Sequence, residues 1–95
     1  MFLLISRYTV PPEQMSDQLE GHREWVGQHV AAGHFVAAGP EVPLQGGVIA
    51  AVGVTRAQLE QWIQDDPYIL HGLAECDIRE YTIVAASTGA EALQA

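Results

Sequence analysis

The 95-residue sequence predicts an α+β domain of the ferredoxin-like type, with elements in the order βαββαβ. Three observations predict it: four short apolar runs of strand type, two segments with helical spacing of apolar residues, and the order in which they alternate. In this arrangement both helices cover one face of a four-stranded antiparallel sheet.

The first half of the chain contains two predicted strands and one long helix. Residues 1–9 are predicted to form a strand, which ends before Pro11 because proline cannot donate to a strand ladder. A helix is predicted for residues 12–32, since proline is tolerated in a first helical turn. Gly33 is a suitable stop for this helix, and residues 34–39 are predicted as the second strand.

The middle of the chain contains the third strand and the start of the second helix. Residues 40–46 are rich in turn formers, and a strand is predicted for residues 48–54. Thr55 is a good N-cap for the following helix, and Gln58 stands at the capping-box position.

The second helix is expected to stop at Asp66, because a residue that precedes proline avoids helical dihedral angles. Residues 68–74 are predicted as a short helical or irregular piece, and residues 75–85 as the last strand. The prediction is therefore a single domain over residues 1–86, with a tail at residues 87–95 that is frayed or forms a short helix.

Two strands are apolar on both faces, which predicts a homodimer. An antiparallel sheet with one solvated face should alternate apolar and polar residues, yet residues 2–5 and 48–52 contain apolar residues only. The simplest explanation is that the second face packs against the sheet of another copy.

Composition and charge exclude several functions. The formal net charge is −8 with only four basic side chains, so nucleic acid is not an expected partner. No stretch is long enough to span a membrane, and the N-terminal apolar run lacks the basic region of a signal peptide, so a cytoplasmic protein without a membrane partner is expected. The single cysteine, Cys76, excludes an intramolecular disulfide and is expected to be a small buried hydrophobe.

No metal or nucleotide site is predicted. His22 and His29 share a helix face but lie seven residues apart, about 10 Å along the axis, which is too far for one metal ion. His34 is expected to be exposed, and His71 is expected either to be exposed or to line the rim of a cleft. The chain has no glycine-rich phosphate motif and no serine in a nucleophile context.

His22 is the most informative candidate residue. It falls on the same predicted helix face as Met15, Leu19, Val26 and Val30. A titratable group on such a face costs free energy unless it is hydrogen-bonded, so His22 either satisfies a core partner or lines a pocket. Trp25 stands beside this stripe and is expected in the core, in a pocket wall or in a dimer contact.

Short motifs distributed over residues 2–83 resemble the YCII-like family. They are His22-Arg23-Glu24-Trp25, Gly33-His34-Phe35, Ala38-Gly39-Pro40, Pro43-Leu44-Gln45-Gly46-Gly47, Asp65-Asp66-Pro67-Tyr68 and Gly72-Leu73-Ala74-Glu75. The resemblance implies a dimeric ferredoxin-like α+β protein with a cleft between sheet and helix. It also implies a histidine–aspartate pair, which in this sequence would be His22 and Asp66.

The resemblance further implies acid–base chemistry, by elimination or isomerisation, on small oxygenated and often aromatic compounds. His22 would be the general acid or base and Asp66 would orient its imidazole. Arg7, Arg23, Trp25 and Tyr68 are the candidate substrate-binding residues, and such chemistry needs no cofactor. The chain has Leu44-Gln45 where many relatives have Arg or Thr, which implies either a less charged substrate or no such activity.

Two other readings of the same residues stay open. A small dimeric protein with this pocket could bind a metabolite without turning it over, or serve as an accessory domain. Alternatively, His22 and Asp66 could form a structural tie that satisfies two buried polar groups.

Overall fold

Four antiparallel strands form the sheet in the computed structural model, which describes residues 1–94. They are β1 (Phe2–Tyr8), β2 (Phe35–Pro40), β3 (Gly46–Ala51) and β4 (Ala74–Glu80), in the spatial order β2-β3-β1-β4. β1 pairs with β3 on one side and with β4 on the other, and both pairings are antiparallel. This is the predicted ferredoxin-like architecture, and the fold prediction is confirmed.

Three α-helices complete the α+β domain: α1 (Ser16–Ala31), α2 (Arg56–Trp62) and α3 (Pro67–Leu70). A 3₁₀ turn at Pro12–Met15 precedes α1, and another at Ile63–Asp65 joins α2 to α3. The predicted capping box is confirmed, because the Thr55 hydroxyl accepts from the Gln58 N–H and the Gln58 side chain accepts from the Thr55 N–H. Gly33 follows α1 with φ of +79°, as expected for a helix stop.

The last strand is shorter than predicted. It ends at Glu80 instead of continuing to residue 85, and its last paired residue on β1 is Phe2. Met1 closes the ladder by exchanging backbone hydrogen bonds of 2.8 and 2.9 Å with Tyr81. Residues 81–90 then leave the sheet, and a 3₁₀ turn at Glu91–Gln94 follows; Ala95, the end of the predicted tail, lies outside the described residues.

The core lies between the helices and one face of the sheet. Its main cluster contains seven buried side chains: Phe2, Leu4, Trp25, Phe35, Ala51, Leu59 and Ile63. A second, smaller cluster of Met15, Tyr68 and Ala74 lies under the start of α1 and α3. Because side chains alternate along a strand, Leu3 and Ile5 lie on the opposite face, which we call the outer face.

Helix α1 is rotated relative to the prediction. Trp25 is its one buried residue, whereas Val30, at the end of the predicted apolar stripe, is 46% exposed. The indole packs edge-on against Phe35, and its Nε1 donates to the Trp62 carbonyl at 3.1 Å. The helix is therefore anchored through Trp25, and the stripe with His22 lies at the border of the core.

Candidate active site

A histidine–aspartate pair joins α1 to the start of α3. The His22 Nδ1 lies 2.7 Å from the Asp66 Oδ1. The same carboxylate oxygen accepts the Tyr68 backbone N–H at 3.1 Å, so Asp66 also caps α3. Asp66 takes an extended conformation with ψ of 121° because Pro67 follows it, as is typical of an N-cap residue.

The Tyr68 ring holds the imidazole from one side. The ring centroids of His22 and Tyr68 are 4.1 Å apart and the planes differ by 11°, which is a stacked pair. Asp66 binds Nδ1 in the ring plane while Tyr68 covers one ring face, so both the position and the orientation of His22 are determined. Within residues 1–94, no side-chain hydrogen bond uses the remaining ring nitrogen, Nε2.

His22 stands between two cavities. The larger one is an open groove of about 720 Å³ between α1, the sheet and the β2–β3 connection, and we call it the α1 groove. Its polar lining residues are Ser6, Tyr8, His22, Arg23, Glu41 and Tyr68, and most of the others are apolar or glycine. Such a mostly apolar wall with a few polar groups is typical of small-molecule sites.

The smaller cavity lies behind the imidazole, on the core side. It has about 20 Å³ of space, is lined by Ser6, His22, Trp25, Asp66 and Cys76 among others, and is large enough for one water molecule. Burial, reinforced by Asp66 and Asp77, raises the pKa of the Cys76 thiol to about 11. Cys76 is therefore a half-buried neutral thiol behind the pair, as expected for a structural cysteine.

The sequence-predicted binding residues separate into three groups. Arg23 and Tyr68 line the α1 groove with His22. Trp25 lines only the smaller cavity, where it supports the imidazole from behind. Arg7 lies on the outer face of β1 and pairs with Glu75 at 3.3 Å, so the structure does not bring it to the groove.

Sequence reasoning missed Tyr8 and Ser6, which line the groove from β1. Burial raises the pKa of both Tyr8 and Tyr68, and the nearby Asp66 adds to both shifts. Arg23 acts in the opposite direction on the pKa of Tyr68. Both phenols are therefore neutral O–H groups at neutral pH. A tyrosine at a strand end carries no sequence signal that distinguishes a groove residue from a core residue.

A second histidine pair, His29 and His34, was also missed. The expectation that His34 is exposed was wrong: it is half-buried, and its Nδ1 lies 3.0 Å from the Nδ1 of His29. His34 also stacks on Trp62 with ring centroids 4.3 Å apart. The pair arises because the chain turns back at Gly33, directly after α1, and the His34 N–H bonds to the His29 carbonyl.

Neither a metal cluster nor a membrane-spanning helix is found in the described part of the chain. Within residues 1–94, no group of three or more His, Cys, Asp or Glu side chains is arranged to hold a metal ion. In the same part of the chain, no helix has both the length and the apolar character needed to cross a membrane.

Comparisons with known proteins identify a family and a solved structure with a similar fold. The model of the YCII-related domain matches residues 1–82. A 5-chloro-2-hydroxyhydroquinone dehydrochlorinase from Burkholderia phenoliruptrix, solved with 2,5-dihydroxybenzoquinone, superposes with a TM-score of 0.69. The match covers 85% of this chain and 93% of that chain at 16% identity, so it shows a shared fold.

No curated protein matches the chain by sequence. The family model, in contrast, spans most of the chain, from Met1 through all four strands and three helices to Thr82. The chain therefore belongs to the YCII-related family.

Proposed function

We propose that the protein is an acid–base enzyme that acts on a small oxygenated, aromatic compound bound in the α1 groove. The observation that carries the proposal is the His22–Asp66 contact of 2.7 Å beside a groove of about 720 Å³. A pair of this kind is a common device for positioning a proton acceptor. The dehydrochlorinase with the same fold has a dihydroxybenzoquinone bound, which supports a ligand of similar size.

In the proposed mechanism, Nε2 of the neutral His22 ring takes a proton from the substrate. The electron pair left behind moves toward a substrate oxygen or forms a new double bond. In an elimination, the bond to the leaving group breaks, that group departs as an anion, and the imidazolium then releases its proton to water. In an isomerisation, the imidazolium returns the proton to another substrate atom, so neither route needs a cofactor.

The other residues have supporting roles in this proposal. Asp66 accepts the Nδ1–H and stabilises the imidazolium that forms. Tyr68 stacks on one face of the His22 imidazole and keeps its orientation. The Arg23 guanidinium binds an anionic substrate oxygen. Trp25 supports the site from the core.

We also propose that the protein is a homodimer through its outer face. Leu3 and Ile5 of β1 lie beside Ala50 and Val48 of β3, and Val48 is 43% exposed. These four side chains form an apolar strip on a face that no helix covers. A second copy packed sheet on sheet would bury it. The cytoplasmic location expected from the sequence stays a prediction.

The test of the function is a comparison of His22→Gln with His71→Gln, an exposed control. The assay measures binding of 2,5-dihydroxybenzoquinone by fluorescence, and conversion of hydroxyquinols with and without a chlorine substituent. We expect the parent and His71→Gln to bind and convert, and His22→Gln to bind without conversion. Binding without conversion in the parent would indicate a metabolite-binding protein, and full activity in His22→Gln would refute the mechanism.

A further inference from the structure

Tyr8 lies at the end of β1 next to the proposed site. It is half-buried and lines the α1 groove together with His22 and Tyr68. Its ring meets the Tyr68 ring edge to face, with centroids 5.9 Å apart and planes at 79°. Since Tyr68 in turn stacks on His22 at 4.1 Å, the three rings form a continuous wall of the groove.

The backbone around Tyr8 is firmly held. Its N–H donates to the Gln45 carbonyl at 2.9 Å, which ties the end of β1 to the connection that precedes β3. The next residue, Thr9, bonds to the α3–β4 connection through both its N–H and its hydroxyl, at 2.9 and 2.8 Å. The ring is thus carried by a fixed strand end and not by a free loop.

The Tyr8 hydroxyl is available to a ligand. No side-chain hydrogen bond within residues 1–94 uses this hydroxyl. In the same residues, every fully buried side-chain oxygen or nitrogen has a hydrogen-bond partner. Because the Tyr8 oxygen has no partner, it is not fully buried and is accessible. Burial, together with the Asp66 carboxylate, raises the phenol pKa, so the group is a hydrogen-bond donor over the whole neutral range.

From this arrangement we infer that Tyr8 is a substrate-binding residue whose O–H donates to an anionic oxygen of the ligand, a phenolate or an enolate. The inference rests on the proposed function and adds to it the group that stabilises the charge formed when His22 removes a proton. A hydrogen-bond donor that is fixed in a largely apolar groove stabilises a bound phenolate or enolate relative to its neutral, protonated form. Tyr8 would thereby lower the pKa of a bound phenol.

The probe for this inference is 4-nitrophenol, whose phenolate absorbs visible light and whose neutral form does not. The parent, Tyr8→Phe and the control Tyr81→Phe are titrated with the bound probe between pH 5 and 9. Tyr81 is 42% exposed and does not line the groove. We expect Tyr8→Phe to raise the apparent pKa of the bound probe by about one unit, a tenfold loss in preference for the phenolate, and Tyr81→Phe to leave it unchanged.

The outcomes separate this inference from the function. If the parent does not bind the probe, the inference is overturned, while the proposed function is still decided by the conversion of hydroxyquinols. If it binds and Tyr8→Phe ionises the probe like the parent, the inference alone is overturned. If Tyr8→Phe shifts the ionisation while His22→Gln keeps full turnover, the inference holds and the proposed reaction does not.

A second measurement covers the case in which Tyr8→Phe does not fold. The chain has three tyrosines, so protein labelled with ¹³C at the tyrosine Cζ gives three signals. Tyr68→Phe and Tyr81→Phe assign two of them, and the third belongs to Tyr8. Its signal is expected to move on addition of 4-nitrophenol; a signal that stays in place at saturation would overturn the inference.

Discussion

His22 and Asp66 are 44 residues apart in the chain, yet their side chains meet at 2.7 Å. The contact forms because α1 packs against the start of α3, where Tyr68 stacks on the imidazole. Gly21 contributes to this packing, since a Cβ atom there would come within 3.1 Å of Pro67. The pair is therefore a product of helix packing, and it holds one imidazole in one orientation beside an open groove.

Asp66→Asn is expected to separate the two roles of this carboxylate. The amide oxygen can still accept the Tyr68 N–H, because Asn is as good an N-cap as Asp, so the free energy of unfolding should change by less than about 1 kcal/mol. Turnover should fall by about 10²–10⁴-fold, since the amide neither stabilises an imidazolium nor enforces the Nδ1–H form.

The matched variants for this prediction are Asp66→Ala and Asp77→Asn. Asp66→Ala removes the cap and the imidazole partner together, and should cost about 1–3 kcal/mol in a urea titration. Asp77 is exposed on β4, so its variant should keep both stability and activity. Equal turnover in Asp66→Asn and Asp77→Asn would contradict a catalytic role for Asp66.

The outer face predicts a dimer that one charge can break. Light scattering at micromolar concentration should give twice the chain mass of 10.3 kDa. Ile5→Arg places a charge in the apolar strip and should give a folded monomer, because an unpaired buried charge is strongly unfavourable. Val84→Arg, at a site that is 85% exposed outside the sheet, should remain dimeric. A monomeric parent would refute the sheet-on-sheet interface.

Gly46 is required by the close approach of β1. A Cβ atom at this position would lie 1.9 Å from the Ser6 carbonyl oxygen, which is a backbone atom that cannot turn aside. Gly46→Ala is therefore expected to lower the free energy of unfolding by about 1–3 kcal/mol through overpacking. Gly39→Ala is the control, since nothing lies within 4 Å of a Cβ there, and denaturant unfolding of both variants makes the comparison. Similar stabilities for the two variants would contradict this account.

The His29–His34 pair predicts how stability depends on pH. Burial lowers the pKa of His29 in the folded protein, the neighbouring His34 lowers it further, and Asp65 opposes the shift. Above about pH 6.5 the ring is neutral in both the folded and unfolded states. Below that pH the unfolded chain binds a proton that the folded protein resists, so the free energy of unfolding falls as the pH falls.

The measurement is urea unfolding at pH 7.5 and 5.5 for the parent, His29→Gln and His71→Gln. His29→Gln should lose less stability than the parent over this interval, by at most about 1.4 kcal/mol per pH unit. His71 is exposed, and its variant should follow the parent. A pH dependence that is the same in all three proteins would show that His29 does not resist protonation.

Most of the fold could be predicted from the sequence because its signals are local. Pro11, Gly33 and the Thr55–Gln58 capping box mark element ends through their own backbone chemistry, and the structure confirms them. The end of β4 could not be predicted in this way. The segment after Glu80 has strand composition, but where the strand stops depends on its pairing with β1, which ends at the Phe2–Glu80 pair.

The candidate site was predictable only in part, for a similar reason. His22 attracted attention as a titratable residue on an apolar helix face, and Asp66 followed from the family resemblance. Arg7 was misplaced because sequence periodicity does not say which face of β1 the helices cover. Tyr8 was missed because its contact with Tyr68 joins distant parts of the chain.

The tautomer of His22 tests the central claim most directly. Long-range ¹H–¹⁵N NMR at alkaline pH distinguishes a protonated from an unprotonated nitrogen in each neutral ring. The account predicts that His22 carries its proton on Nδ1, toward Asp66, and presents an unprotonated Nε2 to the α1 groove. A proton on Nε2, or an even mixture of the two forms as in a free imidazole, would contradict the role of Asp66 and with it the proposed base.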